Sequence, residues 1–273
     1  MNIVKLKIYL VAQMELNWAD LDSFLANNGV SPENRLRIIG SGEQPSDLIP
    51  EIAGRLCYMS YNNPRPGGNF GYLQHIKEVG HGSVLEHAEF SFIIEGVSRS
   101  FTHELVRHRA GTAFSQLSQR YVNESTAEYV CPEIIKNDPE LYPIWLQAIE
   151  VVHLAYVNLA DRLNARLSDP ASQAAAMLPE NATKTDIRKA ARQAARSVLP
   201  NATETKIYMT GNARAWRHFI EMRADPAADV EIREVAGMIF DKLKEAAPNL
   251  FDDYVDNPLS DGTRHIETEY RKV

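Results

Sequence analysis

Cysteine is nearly missing: Cys57 and Cys131 are the only two among 273 residues. Neither a disulfide framework nor a Cys-rich zinc site can organise this chain. No run of 18 apolar residues occurs, so no transmembrane helix and no membrane partner are expected. Basic residues are in deficit. The 29 Lys and Arg stand against 36 Asp and Glu, a net charge of −7, whereas general nucleic-acid binders are usually basic. No nucleic-acid partner is therefore expected, and an RNA-binding role is disfavoured. There is no internal repeat and no low-complexity tract. G-x-G-x-x-G is absent, and so is a P-loop, because "GSGEQP" at 40–45 lacks both the later Gly and the Lys. A dinucleotide could bind, but not on a Rossmann or Walker scaffold. A zincin helix needs His at i and i+4. In "HELVRH", His103 and His108 are five apart, which leaves the imidazoles roughly 140° apart on a helix. "HGSVLEH" spaces His81 and His87 by six, so no metal site is expected.

What remains is enough for a real core: 44% of residues are hydrophobic. The opening "MNIVKLKIYLVAQ" alternates as a strand over about 3–12 rather than reading as a signal peptide. A cytoplasmic protein is expected, and the Asn-x-Ser/Thr sites at Asn123, Asn181 and Asn201 then carry no meaning. Helical patterns follow near 17–27, 45–61 and 70–79, with a Pro- and Gly-rich loop at 62–71. Residues 88–97 place Phe90, Phe92 and Ile94 on one side of a strand. "SRSFTHELVRH" reads as a helix with Gly111 past its end. Leu141, Trp145, Ile149, Val152, Tyr156, Leu159 and Leu163 predict a long helix over about 139–167 with this stripe in the core. After a loop at 168–185, a helix over about 185–198 takes Thr185 as its cap, with Pro200 beyond its end. "ATETKIYMT" alternates as a strand. "NARAWRHFIEMR", with Asn212 as cap, and "AADVEIREVAGMIFDKLKEA" are the last two helices, and Trp216, Phe219, Ile220 and Met222 are expected in the core. Strands interspersed among long helices make the fold class α/β (α+β), with a central mixed sheet flanked by long helices. Neither break is long enough for a linker, so one domain over 1–273 is expected.

The chemistry concentrates in "RHRAGTAFSQLSQRY" (107–121), which carries three Arg, one His, two Ser and two Gln. Such a stretch is neither a core strand nor an ordinary amphipathic helix. A cation cluster inside an acidic protein favours a small anionic ligand. On a helix Arg107, His108 and Arg109 point about 100° apart and cannot share a face, so they reach separate ligands or separate ends of one. In an extended segment Ser118 and Arg120 point the same way. Arg offers bidentate donors to phosphate and Ser adds a hydroxyl. The bland alternative is a solvated, salt-bridged helix end, but such ends rarely hold so many Ser and Gln with so little Lys or Glu. Downstream, Arg192 and Arg196 stand at i, i+4, where like charges repel unless an anion sits between them. Arg214, Arg217 and Arg223 follow with Asn212 and His218.

Three separated blocks carry a resemblance: "GHGSVLEH" (80–87), RHR followed by S-x-x-S-x-R-Y (107–121), and "ARSVLPNATETKIYMTGNARAWRHFIEMRAD" (195–225). Together they resemble the flavin-dependent thymidylate synthases, which include UMP C5-methylase relatives, over roughly 50–240. The resemblance implies an α/β homotetramer with active sites at subunit interfaces and FAD bound on a non-Rossmann flavin site. By motif, Ser83 and Glu86 are expected to contact FAD, with His81 beside the site. Arg107, His108 and Arg109 are expected as flavin ligands, and Arg107 also touches the nucleotide. Gln116, Leu117, Ser118, Gln119 and Arg120 would form the nucleotide cradle with Glu104 and Arg196, Gln116 also reaching FAD. Asn212, Arg214 and His218 fall on FAD, and Arg223 falls where the family ionises N3 of the uracil.

The implied activity is C5-methylation of dUMP to dTMP, with NADPH and methylene-tetrahydrofolate as co-substrates. The alternatives are a UMP or dual-acceptor methylase and a non-catalytic flavin- or nucleotide-binding module. The sequence departs from the family in four places. Eight residues rather than seven separate Arg109 from Ser118. Cys57 replaces a frequent Ser and, being a poor donor, is held out of the site. Glu104 stands where some members have Gln, and His218 where some have Asn. The longer spacer is all small at Ala110, Gly111, Thr112 and Ala113, so it either leaves room for a 2′-hydroxyl that Thr112 could bond or only rearranges a loop near the flavin.

Overall fold

Helical and strand periodicities interleave along the sequence, and the elements do the same. A computed structural model of the chain describes residues 2–271. In order they are β1 (Asn2–Ile3), β2 (Lys7–Gln13), α1 (Trp18–Asn27), α2 (Pro32–Ile39), α3 (Pro45–Leu56), α4 (Gly68–Glu78), β3 (Glu89–Ser98) and α5 (Arg99–Leu105). Then come β4 (Thr112–Gln116), β5 (Glu128–Tyr129), α6 (Glu133–Lys136), α7 (Leu141–Ser168), α8 (Lys184–Ala195), β6 (Glu204–Asn212) and α9 (Ala213–Arg223). The last are α10 (Val230–Ala246), α11 (Pro248–Phe251), β7 (Val255–Pro258) and β8 (Arg264–Glu267). Helix and strand are mixed throughout, as expected. Four strands form one sheet in the order β2-β3-β6-β4. β1 pairs parallel with β5, and β7 pairs antiparallel with β8.

The residues group into two compact units. One comprises the stretch up to Lys7, Ile94–Glu104 and Ser115–Ile207; the other comprises Ile8–Ile93, Leu105–Phe114 and the chain from Tyr208 onward. In the first, Ala127, Tyr129 and Ile149 form a buried cluster with Trp145 and Ala202 against it. β3 can approach β1's chain there only because residue 96 is glycine. Gly96 has φ +72°, and a Cβ on it would lie 2.1 Å from the Lys5 carbonyl oxygen. In the second unit, α9 lays Trp216 and Phe219 on β3. The Trp216 indole N–H donates to the Phe90 carbonyl at 3.2 Å. Its ring meets Phe92 edge-on with centroids 5.0 Å apart. Phe90, Phe92, Trp216, Phe219 and Ile220 are completely buried, each contributing about 1.5–3 kcal/mol.

Several expectations are corrected. α7 buries only Ile149 and Tyr156. Leu141, the first member of the predicted stripe, and Leu159 are exposed, while Leu163, its last member, is half-buried. Met222 is exposed too, lying off the face that Trp216 and Phe219 bury. α8 is capped by Thr183, not Thr185. The Thr183 hydroxyl accepts from the Asp186 N–H while the Asp186 carboxylate accepts from the Thr183 N–H, and Thr185 falls inside the helix. The predicted strand at 3–12 is two strands, and the predicted helix at 45–61 stops at Leu56. α5 ends at Leu105, so the RHR residues are not helical. Thr112–Gln116 becomes β4, an outer strand of the sheet, which a polar segment can be when only part of it is buried.

Candidate active site

In the second unit the site is built on the start of α9. Asn212 caps this helix, its side-chain oxygen accepting the Ala215 N–H at 2.9 Å. The Asn212 N–H donates to the Gly111 carbonyl at 3.1 Å, which fastens the spacer after RHR to the helix cap. Gly111 has φ +68°, and a Cβ there would lie 2.6 Å from the Asn212 amide nitrogen. Only glycine permits that approach. Around this junction Glu86, Ala110, Gly111, Asn212, Arg214, Ala215, His218 and Glu221 line a cleft of about 390 Å³. The structure thus brings Glu86, Asn212, Arg214 and His218 together. Arg214 donates to Glu86 at 2.6 Å, with both side chains close to half exposed. An ion pair of that kind is worth about 0–1 kcal/mol, so a ligand can claim the guanidinium at little cost. Ser83, Glu86 and the preceding His81 are all exposed, on or beside the turn Gly82–His87. Arg107 and Arg109 are exposed and do not line the cleft.

His108 and Arg223 meet directly. The Arg223 Nε–H donates to His108 Nε2 at 2.9 Å. The imidazole lies edge-on to Phe219, with centroids 5.3 Å apart, and 5.8 Å from the His218 ring. Burial first, then the Arg223 cation and His218, pushes its pKa down to about 4. The ring is therefore neutral near pH 7, and because Nε2 accepts, its proton is on Nδ1. The backbone of His108 is pinned as well. Its N–H donates to the Leu105 carbonyl at 3.1 Å, and its carbonyl accepts the Thr112 hydroxyl.

In the first unit the cradle residues lie on the segment leaving β4. The Gln116 amide donates to the Thr102 hydroxyl at 2.9 Å and more weakly to Thr205 at 3.4 Å. After it the chain turns rather than staying extended, which corrects the expected alignment of Ser118 with Arg120. The Ser118 hydroxyl accepts the Arg120 N–H at 3.4 Å, and the Ser118 carbonyl accepts from Tyr121 and Val122. Leu117, Ser118, Gln119 and Arg120 are half-buried, as is Glu104 on α5. Arg196, exposed, is the C-cap of α8, and its N–H donates to the Arg192 carbonyl one turn back. The Arg192 guanidinium donates to the Tyr121 carbonyl at 2.6 Å.

Sequence reading passed over Arg99. It donates to the Leu117 carbonyl at 3.1 Å, one residue before Ser118. Burial, with Arg196 adding to it, lowers its pKa against the opposing charges of Glu124 and Glu204. The Nε atoms of both Arg99 and Arg120 are buried without a hydrogen-bond acceptor among the described residues. An anion would supply the acceptors that these two Nε donors lack. Arg99 lies outside the RHR block, so only the β3-to-α5 junction could have pointed to it.

Comparison with known proteins gives the family. The family model described as thymidylate synthase complementing protein matches residues 41–249. A flavin-dependent thymidylate synthase of Mycolicibacterium vanbaalenii is 53% identical over 217 residues, covering 79% of this chain and 82% of the relative. One from Corynebacterium diphtheriae is 47% identical over 234 residues, covering 85% and 88%. One from Mycobacteroides abscessus is 50% identical over 217 residues, covering 79% and 82%. With the RHR turn, the capped α9 and the segment leaving β4 all inside the matched span, the chain is a methyltransferase that belongs to the family of flavin-dependent thymidylate synthases.

Proposed function

We propose that this enzyme methylates C5 of dUMP to give dTMP, taking the carbon from methylene-tetrahydrofolate and using FAD as its flavin and NADPH as reductant. It would do so as a cytoplasmic homotetramer, with the whole chain as one catalytic domain. The observation that carries the reading is the pair of half-buried guanidiniums, Arg99 and Arg120, whose Nε donors are unspent beside Ser118. A nucleotide monophosphate supplies the acceptors they lack. Ser118, Gln119 and Arg120 would hold the phosphate with Arg196, while Glu104, Gln116 and Leu117 lie around it.

The residues of the second unit fit a flavin dinucleotide. Arg107 and Arg109 are exposed cations, Arg214 is only loosely engaged, and the glycine at 111 keeps the cleft wall open where a Cβ would press on Asn212. Ser83, Glu86 and His218 complete the expected FAD contacts, whereas His108, a flavin ligand by motif, has its Nε2 taken up by Arg223. When bound, the reduced flavin supplies the electron pair and the one-carbon handling that side chains lack. The protein's own contribution is charge. A guanidinium at the pyrimidine edge, from Arg223, favours the N3 anion and makes C5 a better nucleophile. Neutral His108 does not compete for that role as a second cation.

The acceptor is read as dUMP rather than UMP. Ala110 and Gly111 line the cleft of Asn212, Arg214 and His218, so the longer spacer serves the flavin side. The Thr112 proton is committed to the His108 carbonyl and is not offered to a sugar. A buried 2′-hydroxyl without a partner costs about 1–3 kcal/mol. Product analysis with dUMP and UMP in parallel tests this. We expect kcat/KM to favour dUMP by about tenfold to a hundredfold, and deletion of one residue within 110–113 should weaken flavin binding while leaving that ratio unchanged. Equal turnover of the two nucleotides, or a ratio that collapses in the deletion variant, contradicts it.

A further inference from the structure

His108 is held harder than a simple ligand-contacting side chain requires. Its N–H is bonded to Leu105, its carbonyl to Thr112, and its ring is braced by Phe219 and His218. What this rigid imidazole touches is Arg223, through a 2.9 Å hydrogen bond from Nε. An arginine at the last position of a helix has rotamer freedom to lose before it can recognise a planar ring. One fixed acceptor at Nε removes much of that freedom and sets the plane of the guanidinium.

We propose that His108 is a positioning residue, whose Nε2 accepts from Arg223 and fixes the plane of that guanidinium for the pyrimidine, so that its part in the reaction runs through Arg223 rather than through the flavin. The proposal rests on the role given to Arg223 above. The geometry demands the tautomer with the proton on Nδ1, since an imidazolium has no lone pair at Nε2 to accept with. The charged and titratable groups facing the ring are Arg223 and His218, both on α9, and both disfavour a second positive charge there. Native His108 titrates near 4, below the roughly 6.5 of an unfolded histidine. The positioning is therefore complete near neutral pH and is lost as the pH falls through the native value.

Two measurements test it, both on the FAD-loaded enzyme. In the first, H108F keeps the ring volume and removes the acceptor, while H108Q returns a neutral oxygen close to the place of Nε2. We expect H108F to retain FAD and a near-unchanged KM for dUMP with kcat lowered about tenfold to a hundredfold, and H108Q to recover most of the loss. In the second, imidazole 15N spectra should show His108 neutral and protonated at Nδ1 down to about pH 5, with the Nε2 resonance moving in R223M. The proposal is overturned if H108F turns over within twofold of wild type, if it releases FAD while H108Q retains it, or if the spectra show the Nε2-protonated tautomer. If H108F does not fold, H108Q and the spectra decide. If the wild type makes no dTMP, the thymidylate reading fails, while the tautomer and its response to R223M still decide the contact.

Discussion

Replacing Arg223 by lysine should lower methylation by about tenfold to a thousandfold, roughly 1.4–4 kcal/mol, with FAD still bound. Lysine keeps the charge but loses the planar fork and the Nε–H that meets His108. A flexible ammonium at the helix end still attracts an anion, so nucleotide binding should weaken less than turnover. The residues proposed for flavin are untouched, and the yellow colour should remain. Steady-state kinetics beside flavin absorbance separates these effects. Turnover of R223K equal to wild type would remove Arg223 from the chemistry.

The largest loss of stability should come from Asp253→Asn, about 3–5 kcal/mol by urea unfolding followed by circular dichroism. Arg217, fully buried on α9, donates to both carboxylate oxygens of Asp253 at 2.8 Å. Buried Lys77 of α4 donates to the same carboxylate at 2.9 Å, and Thr268 bonds it too. Burial alone would raise the Asp253 pKa; the Arg217 hydrogen bonds and charge, then Lys77 and Thr268, hold it well below the ordinary carboxylate range. Its contribution is complete above about pH 4, the value in the unfolded chain, and is lost as the pH falls through the lower native value. Asparagine would leave buried Arg217 without its carboxylate, while Lys77 keeps the Asp252 carboxylate and the Asn249 carbonyl. Arg217→Met would leave Asp253 with Lys77, so it should cost less than Asp253→Asn. The reverse order would show that Lys77 does not share the carboxylate. Because Arg217 sits between Arg214 and His218 on α9, the same clamp holds the helix that presents the cleft residues.

Part of the site's positioning was legible in the sequence, where it depends on local signals. Asn212 before an apolar helical run gave the cap of α9, and Phe90, Phe92 and Ile94 gave the buried face of β3. What escaped depended on partners remote in sequence. β4 alternates half-buried and exposed side chains, but with Phe114 as its one large apolar residue its sequence does not announce the alternation. Arg99 matters because the chain folds the Leu117 carbonyl onto it, 18 residues away. α2, "PENRLRII", has little apolar periodicity and is announced chiefly by its Ser31 cap and by Pro32. The β7–β8 hairpin has a wholly exposed first strand and so no buried face to betray it. Exposed Leu141 and Leu159 in the α7 stripe show the converse failure, in which periodicity finds a helix but cannot say how much of its apolar face is covered.

The central claim is most directly tested by following an isotopically labelled methylene carbon. Purified protein would be loaded with FAD and incubated with NADPH, dUMP and methylene-tetrahydrofolate labelled at the methylene group. The account predicts label in the C5 methyl of dTMP, formed only when FAD is present and strongly reduced in R223K. Flavin-loaded protein that yields no labelled dTMP, or that yields it equally well without flavin, would contradict it.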